Sequence, residues 1–226
     1  MRVLELFAGT GSVGKVAKEL GYEVISVDFN NKFKPTHFCS IMDFDYKQYP
    51  KNHFDIVWGS PPCSNYSCLQ NSWLGRIRII NKQRVIFTRE IMEENMKKSD
   101  ELALKCIEII EYFNPEKYFM ENPAGSRLKD RDFMKKFKSY VADYCMYSNW
   151  GYKKSTRFWT NVDYFKPLRC NKKCGNFIDG KHLVNLGGSK QSGPKKSHTL
   201  IEKYRIPPKL IYSLFGETIC KKCKDE

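Results

Sequence analysis

The sequence contains no long hydrophobic run. None of its 226 residues lies in a stretch of eighteen or more consecutive apolar residues, whereas a bilayer-spanning helix needs about twenty. A basic leader with a small-residue cleavage site is also lacking, because the chain enters a strand-like segment at Val3 to Phe7. Internal repeats are absent as well. We therefore expect a soluble protein of the cell interior, in cytoplasm or nucleus, with no membrane partner and no indicated protein partner.

Acidic residues are scarce. The chain has 25 Asp and Glu against 39 Lys and Arg, which gives a formal net charge of +14. Hydrophobic residues make up 41% and aromatic residues 14%, so the chain can build a core of one or at most two domains and is not a disordered basic tail. Because cations that neutralise phosphates release counterions, nucleic acid is the expected partner. A merely basic surface is the alternative.

Cysteines do not occur in the even number of a disulfide scaffold. The chain has nine, and Cys63 lies between prolines and serines in a predicted loop. This pattern indicates a reducing compartment with free or metal-bound thiols. Cys106, on the apolar face of a predicted helix, is interpreted as a core residue.

The first third of the chain alternates between strand and helix patterns. The strand before Gly59 has consecutive apolar residues, as in a strand buried on both faces. Strand, helix and strand in this order predict an α/β fold with a mostly parallel central sheet and right-handed crossovers. The predicted elements are a strand from Arg2 to Phe7, a helix from Ser12 to Leu20, and strands from Glu23 to Val27 and from His53 to Gly59.

The remainder divides into a main domain and two short parts. The polar, basic stretch from Ser64 to about Lys98 predicts a loop and short helices over an active site. We predict a main domain of residues 1–165, a small Lys- and Gly-rich segment of residues 166–205, and a helix with a cysteine-containing tail in residues 206–226. The later elements are a helix from Ser99, its cap, to Phe113, strands from Glu116 to Glu121, Ser139 to Ser148 and Thr156 to Asn161, and a helix from Ile206 to Phe215.

A glycine turn follows the first strand. Gly9, Gly11 and Gly14 stand where the strand turns into a helix, and glycines there let backbone amides approach a ligand closely. Asp28, at the tip of the next strand, is placed to hydrogen-bond ribose hydroxyls. The spacing fits a dinucleotide fingerprint as well as an adenosyl-methionine turn, and an ordinary glycine-rich turn is the alternative.

Two later strands run into proline-stiffened corners. After the strand ending at Gly59, two prolines project Cys63 towards the sheet edge where ligands bind in such folds. Polar or cationic neighbours there favour a nucleophilic thiolate. Glu121 precedes Asn122 and Pro123 at the same predicted edge, where desolvation raises the pKa of a carboxyl group. A helix-capping or surface glutamate is the alternative for Glu121.

Together these motifs resemble a known family. Phe7-Ala8-Gly9-Thr10-Gly11-Ser12 with Asp28, Pro61-Pro62-Cys63, Glu121-Asn122 and Thr156-Arg157-Phe158-Trp159 occur in the order and approximate spacing of the cytosine-5 DNA methyltransferases. The similarity covers residues 1 to about 161 and is greatest to the short members encoded by large DNA viruses. It implies a Rossmann-like fold that uses S-adenosylmethionine, acts on double-stranded DNA and works in an infected host cell.

The resemblance also implies roles for individual residues. Phe7 would lie against the adenosyl group, Asp28 on the ribose and Asp43 near the adenine. Cys63 would add to carbon 6 of a flipped-out cytosine while Glu121 supports ring nitrogen 3. Arg157 would hold the base or its phosphate. The full predicted cofactor-binding set is Phe7, Ala8, Gly9, Thr10, Gly11, Ser12, Asp28, Asp43 and Ser60.

Some positions depart from the family pattern. Ser60 stands where many DNA-methylating members have Phe, and Ser-Pro-Pro-Cys is similar to the tRNA-methylating branch, so tRNA is the alternative substrate. Arg157 stands where the family usually has two arginines, and Gly187 and Gly188 are poor substitutes for its late Gly-Asn motif. A catalytically silent nucleic-acid-binding homologue is therefore a second alternative. The target-recognition region, from about Lys166 to Lys203, is short and predicts short or lax sequence specificity.

Two cysteine pairs lie near the end of the chain. Cys170 and Cys174 form one pair, and Cys220 and Cys223 form the other. Together they predict one structural zinc ion that pins the tail to the small segment. Free thiols in a basic tail are the alternative. His182 and His198 are substitute ligands, and the surrounding lysines would bind phosphate without reading sequence.

Overall fold

The computed structural model describes residues 1–80, 82–184, 186 and 199–218. Eleven strands and four α-helices lie in these ranges. The strands are β1 (Arg2–Leu6), β2 (Glu23–Asp28), β3 (His37–Phe38), β4 (Ile56–Gly59), β5 (Ile77–Ile80), β6 (Gln83–Ile86), β7 (Lys117–Pro123), β8 (Ser139–Asp143), β9 (Ser155–Thr160), β10 (Phe177–Ile178) and β11 (Lys181–His182). The helices are α1 (Ser12–Glu19), α2 (Arg89–Phe113), α3 (Leu200–Tyr204) and α4 (Pro208–Phe215).

A seven-stranded sheet forms the centre of the fold. Its strand order is β3-β2-β1-β4-β7-β9-β8. The first five strands of this order pair in parallel, and β9 runs antiparallel between β7 and β8. The order reverses direction at β1 and β4, as in doubly wound folds that bind ligands beyond the carboxyl ends of these strands. This confirms the predicted Rossmann-like α/β fold.

Each face of the sheet is covered by helices. On one face α2 buries Cys106, Ile109 and Phe113. The opposite face packs against α1 and α4, and α4 buries five of its eight residues. Gly59, at the end of β4, has no room for a side chain because a Cβ atom would collide with Cys106 Sγ. The core position predicted for Cys106 is thereby confirmed, and burial raises its pKa to about 12.

The long helix α2 begins ten residues before the predicted start. Thr88 caps it by accepting a hydrogen bond from the Ile91 amide at 3.3 Å. The predicted cap Ser99 instead lies inside the helix, where its hydroxyl accepts from Asn65 Nδ2 at 2.9 Å. The prediction was wrong because Ser99 and Asp100 are polar residues buried by the loop that follows Cys63, and such residues look like a helix start in sequence.

Two other predicted elements differ from the structure. The stretch from Ser64 to Lys98 contains short helices, as predicted, and these are of the 3-10 type. It also contains an antiparallel hairpin of β5 and β6, which was not predicted. The strand predicted from Ser139 to Ser148 ends at Asp143, whose buried carboxylate accepts from the Cys170 amide at 2.7 Å. A 3-10 turn at Tyr144–Met146 then leaves the sheet.

The chain after Phe165 forms small elements beside the sheet. Strands β10 and β11 make a short hairpin, and α3 opens with a capping box of Thr199 and Glu202. The divisions at residues 165 and 205 stay predictions. Within the described part of the chain, every helix is too short or too polar to cross a membrane.

Candidate active site

Two corners of the sheet are tied together by one buried amide. Strands β4 and β7 are parallel neighbours with Gly59 opposite Met120, so Cys63 and Glu121 both follow at the carboxyl edge. Asn122, which is 1% exposed, donates from Nδ2 to the Pro61 carbonyl at 2.8 Å. This hydrogen bond fixes the proline corner that carries Cys63 against the corner that carries Glu121.

Cys63 is half-buried at the start of a 3-10 helix. Its pKa is raised above the ordinary value, first by burial and then by the Glu121 carboxylate, while Lys154 lowers it. The thiol and the carboxyl group are therefore close enough to influence one another. The isolated site holds Cys63 mainly as a thiol, and thiolate formation depends on the neighbouring charges.

Glu121 has an unsatisfied buried oxygen. The residue is 9% exposed, and its Oε2 atom has no hydrogen-bond partner among the described residues. Burial raises its pKa, and Lys154 opposes that rise. Because a buried polar atom without a partner is costly, this carboxyl group is suited to share one hydrogen bond with a ligand.

Lys154 is the cation of this site, and the sequence analysis missed it. It acts on both Cys63 and Glu121. Its Nζ donates to the Lys203 carbonyl at 3.0 Å and lies 4.9 Å from the centre of the Tyr144 ring. The available signal was its place just before β9, one strand away from Glu121.

Arg157 does not lie with Cys63, Glu121 and Lys154. It stands opposite Asn122 in the β7–β9 pair, whereas Glu121 stands opposite Phe158. Because side chains alternate along a strand, Arg157 lies on the other face of the sheet from Glu121. Its Nη1 donates to Ser139 Oγ at 2.7 Å. The sequence motif had the correct strand, but it did not show which face each residue takes.

The glycine turn after β1 has the expected backbone geometry. Gly9 and Gly11 have φ angles of +48° and +66°, a region that favours glycine. The Gly9 amide donates to Asp28 Oδ2 at 2.7 Å, which joins the turn to the tip of β2. Phe7 also has a positive φ, +57°, an unusual conformation for a non-glycine residue.

Four residues of the predicted cofactor-binding set make hydrogen bonds within the protein. They are Ala8, Thr10, Ser12 and Ser60. The hydroxyls of Thr10 and Ser12 lie 2.9 Å apart, and Ser12 Oγ also accepts from the Ile206 amide. The Ala8 amide donates to the Val27 carbonyl. Ser60 Oγ accepts from Trp58 Nε1 at 3.0 Å. The Ser12 hydroxyl thus joins the start of α1 to the segment just before α4. The cofactor contacts of all four residues stay predictions.

A cavity lies between the ends of β1 and β2 and the proline corner. Its walls are mostly apolar, and Asp28 supplies a carboxylate that is 8% exposed. Asp43 is exposed and does not line this cavity, whereas Ser40 and Ile41 do. Apolar walls with one carboxylate fit an adenosyl nucleoside, whose base is flat and whose ribose donates hydrogen bonds. The lining residues are Phe7, Val27, Asp28, Phe29, Cys39, Ser40, Ile41, Pro62 and Leu102.

A buried carboxyl group supports the glycine turn from below. Glu5 is 3% exposed and accepts from the Val13 and Gly14 amides at 3.2 and 3.0 Å. Burial raises its pKa from 4.5 to about 7. Gly14 is required here because a Cβ atom would lie 2.7 Å from Glu5 Oε2. The third glycine of the motif therefore makes room for Glu5.

A basic surface is formed by residues that follow Cys63 along the chain. The β5–β6 hairpin and its flanks carry Arg76, Arg78, Lys82, Arg84 and Arg89. The Arg78 guanidinium lies 4.3 Å from the centre of the Trp73 ring. Exposed apolar side chains accompany these cations, with Ile79 76% exposed. The combination of cations and exposed apolar groups suits a nucleic acid.

A second cluster lies beyond β8. Cys170 and Cys174 meet Cys145 and His182, and the four ligand atoms lie within 4.8 Å of one another. Among the other sequence-predicted positions, Cys220, Cys223, His198, Gly187 and Gly188 lie outside the described residues. Cys145 was missed by the sequence analysis, because it stands alone in an apolar stretch.

Two solved methyltransferase structures are similar to part of this chain. No family model matches the chain. The Dnmt2 methyltransferase of S. pombe is 14% identical with a TM-score of 0.45, over 71% of this chain and 48% of that one. The Entamoeba histolytica methyltransferase EhMeth is 15% identical with a TM-score of 0.46, over 75% of this chain and 55% of that one. This chain thus spans about half the length of these two structures.

A relative of similar length comes from a large DNA virus. The protein of Frog virus 3 (isolate Goorha) named "Probable DNA (cytosine-5)-methyltransferase" is 34% identical over 222 residues, which is 95% of this chain and 98% of that protein. With this identity over nearly the whole length of both proteins, the chain belongs to the DNA (cytosine-5)-methyltransferase family.

Proposed function

We propose that this protein transfers a methyl group from S-adenosylmethionine to carbon 5 of a cytosine in double-stranded DNA. The observation that carries the proposal is the pairing of Cys63 with Glu121 at adjacent corners, tied by Asn122, beside the Asp28 cavity. The relative from Frog virus 3 supports DNA as the polymer. The host cell of such a virus is the proposed place of action.

The cofactor is assigned to the cavity beyond β1 and β2. Phe7 supplies an apolar wall and Asp28 a hydrogen-bond acceptor for ribose hydroxyls. Both Asp28 oxygens already accept backbone amides, from Gly9 and Asn30 at 2.7 Å, so the carboxylate is held in place while its remaining lone pairs stay available. When bound, S-adenosylmethionine supplies an electrophilic methyl group.

Cys63 is the proposed nucleophile. Its sulfur adds to carbon 6 of the cytosine ring, and its proton goes to solvent or a neighbouring base. Glu121, kept partly protonated by burial, hydrogen-bonds ring nitrogen 3 and withdraws electron density while the sulfur adds. Carbon 5 then takes the methyl group, with S-adenosylhomocysteine as the leaving product, and transfer of the carbon 5 proton to solvent expels the thiolate again.

Lys154 stabilises the negative charge of the Cys63 thiolate and of ionised Glu121 during these steps. Its positive charge favours the thiolate of Cys63 and limits the repulsion between that thiolate and Glu121. Arg157 is assigned no contact with the thiol or with Glu121, because it lies on the other face of β9. Of the two contacts predicted for Arg157, only the contact with a phosphate is retained, and that phosphate would have to reach this other face of the sheet.

The cytosine has to leave the duplex to reach a half-buried thiol. Unstacking and unpairing cost a few kcal/mol, which contacts to the backbone help to offset. The exposed cations of the β5–β6 hairpin are the proposed phosphate contacts. The described part of the small segment offers the β10–β11 hairpin and the five-residue helix α3 for base contacts, which favours short or lax target specificity.

tRNA is the second candidate substrate. The observation that favours it is Ser60, a small hydroxyl residue that hydrogen-bonds Trp58 before the two prolines. The catalytically silent alternative is disfavoured by Cys63 and Glu121, which lie together at the cavity.

A methyl-transfer assay separates the three candidates. Labelled S-adenosylmethionine is incubated with the protein and equal amounts of duplex DNA or tRNA. We expect label in the DNA as 5-methylcytosine, lost in Cys63→Ala and kept in the control Cys68→Ala, an exposed thiol outside the site. Label in tRNA alone would replace DNA by tRNA, and label in neither polymer with the cofactor still bound would contradict the proposal.

A further inference from the structure

We propose that Cys145, Cys170, Cys174 and His182 hold one structural Zn²⁺ ion that anchors the small segment to the end of β8. Two of the four sequence-predicted ligands are retained. Cys145 and His182 take the places of Cys220 and Cys223, so the ion joins the segment to the sheet and not to the tail. The proposal does not depend on the methyl-transfer function.

The distances among Cys170, Cys174 and His182 match the edges of a tetrahedral site, and Cys145 Sγ completes the group of four ligand atoms within 4.8 Å. Cys170 Sγ and Cys174 Sγ lie 3.5 Å apart, and each lies 3.5 Å from His182 Nε2. Zinc bonds of about 2.3 Å to sulfur and 2.0–2.1 Å to nitrogen give tetrahedral edges of about 3.4–3.8 Å. A disulfide needs about 2.05 Å between the sulfurs, so the Cys170–Cys174 separation is that of two ligands of one ion.

The donor set selects the metal. Three thiolates and one imidazole suit Zn²⁺, whereas Mg²⁺ and Ca²⁺ prefer oxygen. With four protein ligands no position is left for water or substrate, so the site is structural and not catalytic. The Lys172 amide donates to Cys170 Sγ at 3.4 Å, and such N–H donors offset the charge of a metal-bound thiolate.

The surrounding structure holds the ligands in place from both sides. On the sheet side, Asp143 ends β8 and accepts from the Cys170 amide. On the segment side, Asn176 is 6% exposed and donates to the Cys145 carbonyl at 3.0 Å. The Phe177 ring lies 5.2 Å from the imidazole of His182, its partner in the β10–β11 hairpin. The four ligands are thus positioned by interactions that exist apart from the ion.

The segment has few other means of keeping its shape. Between residues 166 and 184, Asn176 is the one buried residue, so this stretch has no apolar core of its own. A segment this small commonly depends on a metal or a disulfide for stability. Cys145 also follows Tyr144, whose amide donates to the Lys154 carbonyl at 3.1 Å, so the ion lies one residue from the backbone that supports the active-site lysine.

Metal content tests the proposal without any measurement of activity. We expect one zinc per chain by elemental analysis of the full-length protein. Cys145→Ser and Cys174→Ser should reduce it at least ten-fold, while Cys68→Ser and the double variant Cys220→Ser with Cys223→Ser should keep it. Zinc that survives Cys145→Ser and disappears in the tail variant would overturn the proposal, as would iron or copper in place of zinc.

Cobalt substitution covers the case in which a serine variant fails to fold. Co²⁺ in the wild-type protein should show the visible absorption of a tetrahedral site with three thiolates. His182→Cys should keep the metal and increase the thiolate-to-cobalt charge-transfer absorption by about one third, because it adds a fourth thiolate. An unchanged spectrum in His182→Cys, or an octahedral spectrum in the wild type, would contradict the assigned ligands.

Discussion

The reactivity of Cys63 depends on two opposite charges. Glu121 raises the pKa of the thiol and Lys154 lowers it. Because Lys154 also acts on Glu121, one cation influences both partners of the reaction. A residue in this position controls how much thiolate is available when the base enters the site.

Lys154→Met is therefore expected to slow the enzyme, whereas Arg157→Met leaves the thiol unchanged. Loss of the cation raises the pKa of Cys63, because Lys154 opposes the effects of burial and of Glu121, and it therefore lowers the thiolate fraction at neutral pH. The measurement is the rate of Cys63 alkylation by iodoacetamide against pH, followed by peptide mass. Lys154→Arg should restore the rate, and a shift in Arg157→Met alone would contradict the assignment.

Glu5 makes the stability of the nucleoside-binding turn depend on pH. Its pKa in the folded protein is about 7, against an ordinary value of 4.5. The folded state thus binds the proton more tightly than the unfolded state, so this group's contribution is fully present below about pH 4.5. It is lost as the pH rises to about 7.

Comparison with Glu5→Gln isolates this effect. Relative to the variant, the wild type should lose about 3 kcal/mol of unfolding free energy between about pH 4.5 and about pH 8. Urea unfolding at several pH values measures the difference, in which the other titrating groups cancel. A difference that stays constant, or that grows in favour of the wild type with rising pH, would show that Glu5 titrates near its ordinary pKa.

The β5–β6 hairpin carries no catalytic residue, but it has a large proposed role in DNA binding. It carries exposed cations on a two-stranded antiparallel ribbon. We expect Arg78→Gln with Arg84→Gln to raise the KM for DNA and to reduce the slope of log binding constant against log salt by about two, since each phosphate contact contributes about one.

The matched control is Lys47→Gln with Lys51→Gln. These exposed lysines precede β4, so they lie at the amino edge of the sheet, away from the site. Fluorescence anisotropy of a labelled duplex at several salt concentrations gives both slopes. Equal slopes for the two double variants would remove the hairpin from the DNA-binding surface.

The elements that sequence could predict are those whose pattern is local. The β1 strand, the glycine turn and the corner at Cys63 have short-range signals, and the structure has all three. The first ten residues of α2 lacked such a signal, since only Met92 and Met96 are buried there. The strands of the hairpin are rich in Ile and Val, but most of these side chains are exposed, so they do not form the alternating buried face by which a strand is predicted.

The site residues divide in the same way. Cys63 and Glu121 end strands, so their position at one edge follows from the parallel sheet. The face occupied by Arg157 and the arrival of Lys154 depend on the β7–β9 register, and Cys145 meets Cys170 only through tertiary contacts. Such long-range juxtapositions are not encoded in local spacing.

At the scale of the whole molecule, one sheet serves two sites. Its carboxyl edge brings together the nucleoside cavity, Cys63 and Glu121, and the end of β8 carries the Cys145 cluster. The basic surplus of the chain supplies long-range attraction for a polyanion without specifying its sequence. At the first of these sites, the proposed methyl transfer depends on a covalent step between one sulfur and one base.

A duplex containing 5-fluorocytosine tests that step most directly. Fluorine cannot leave carbon 5 as a proton does, so the adduct formed after methyl transfer should persist. We predict one covalent protein–DNA complex that depends on S-adenosylmethionine, with the DNA mapped by peptide mass to Cys63 and absent in Cys63→Ala. A protein that methylates the normal duplex but forms no adduct, or forms it at another cysteine, would contradict the account.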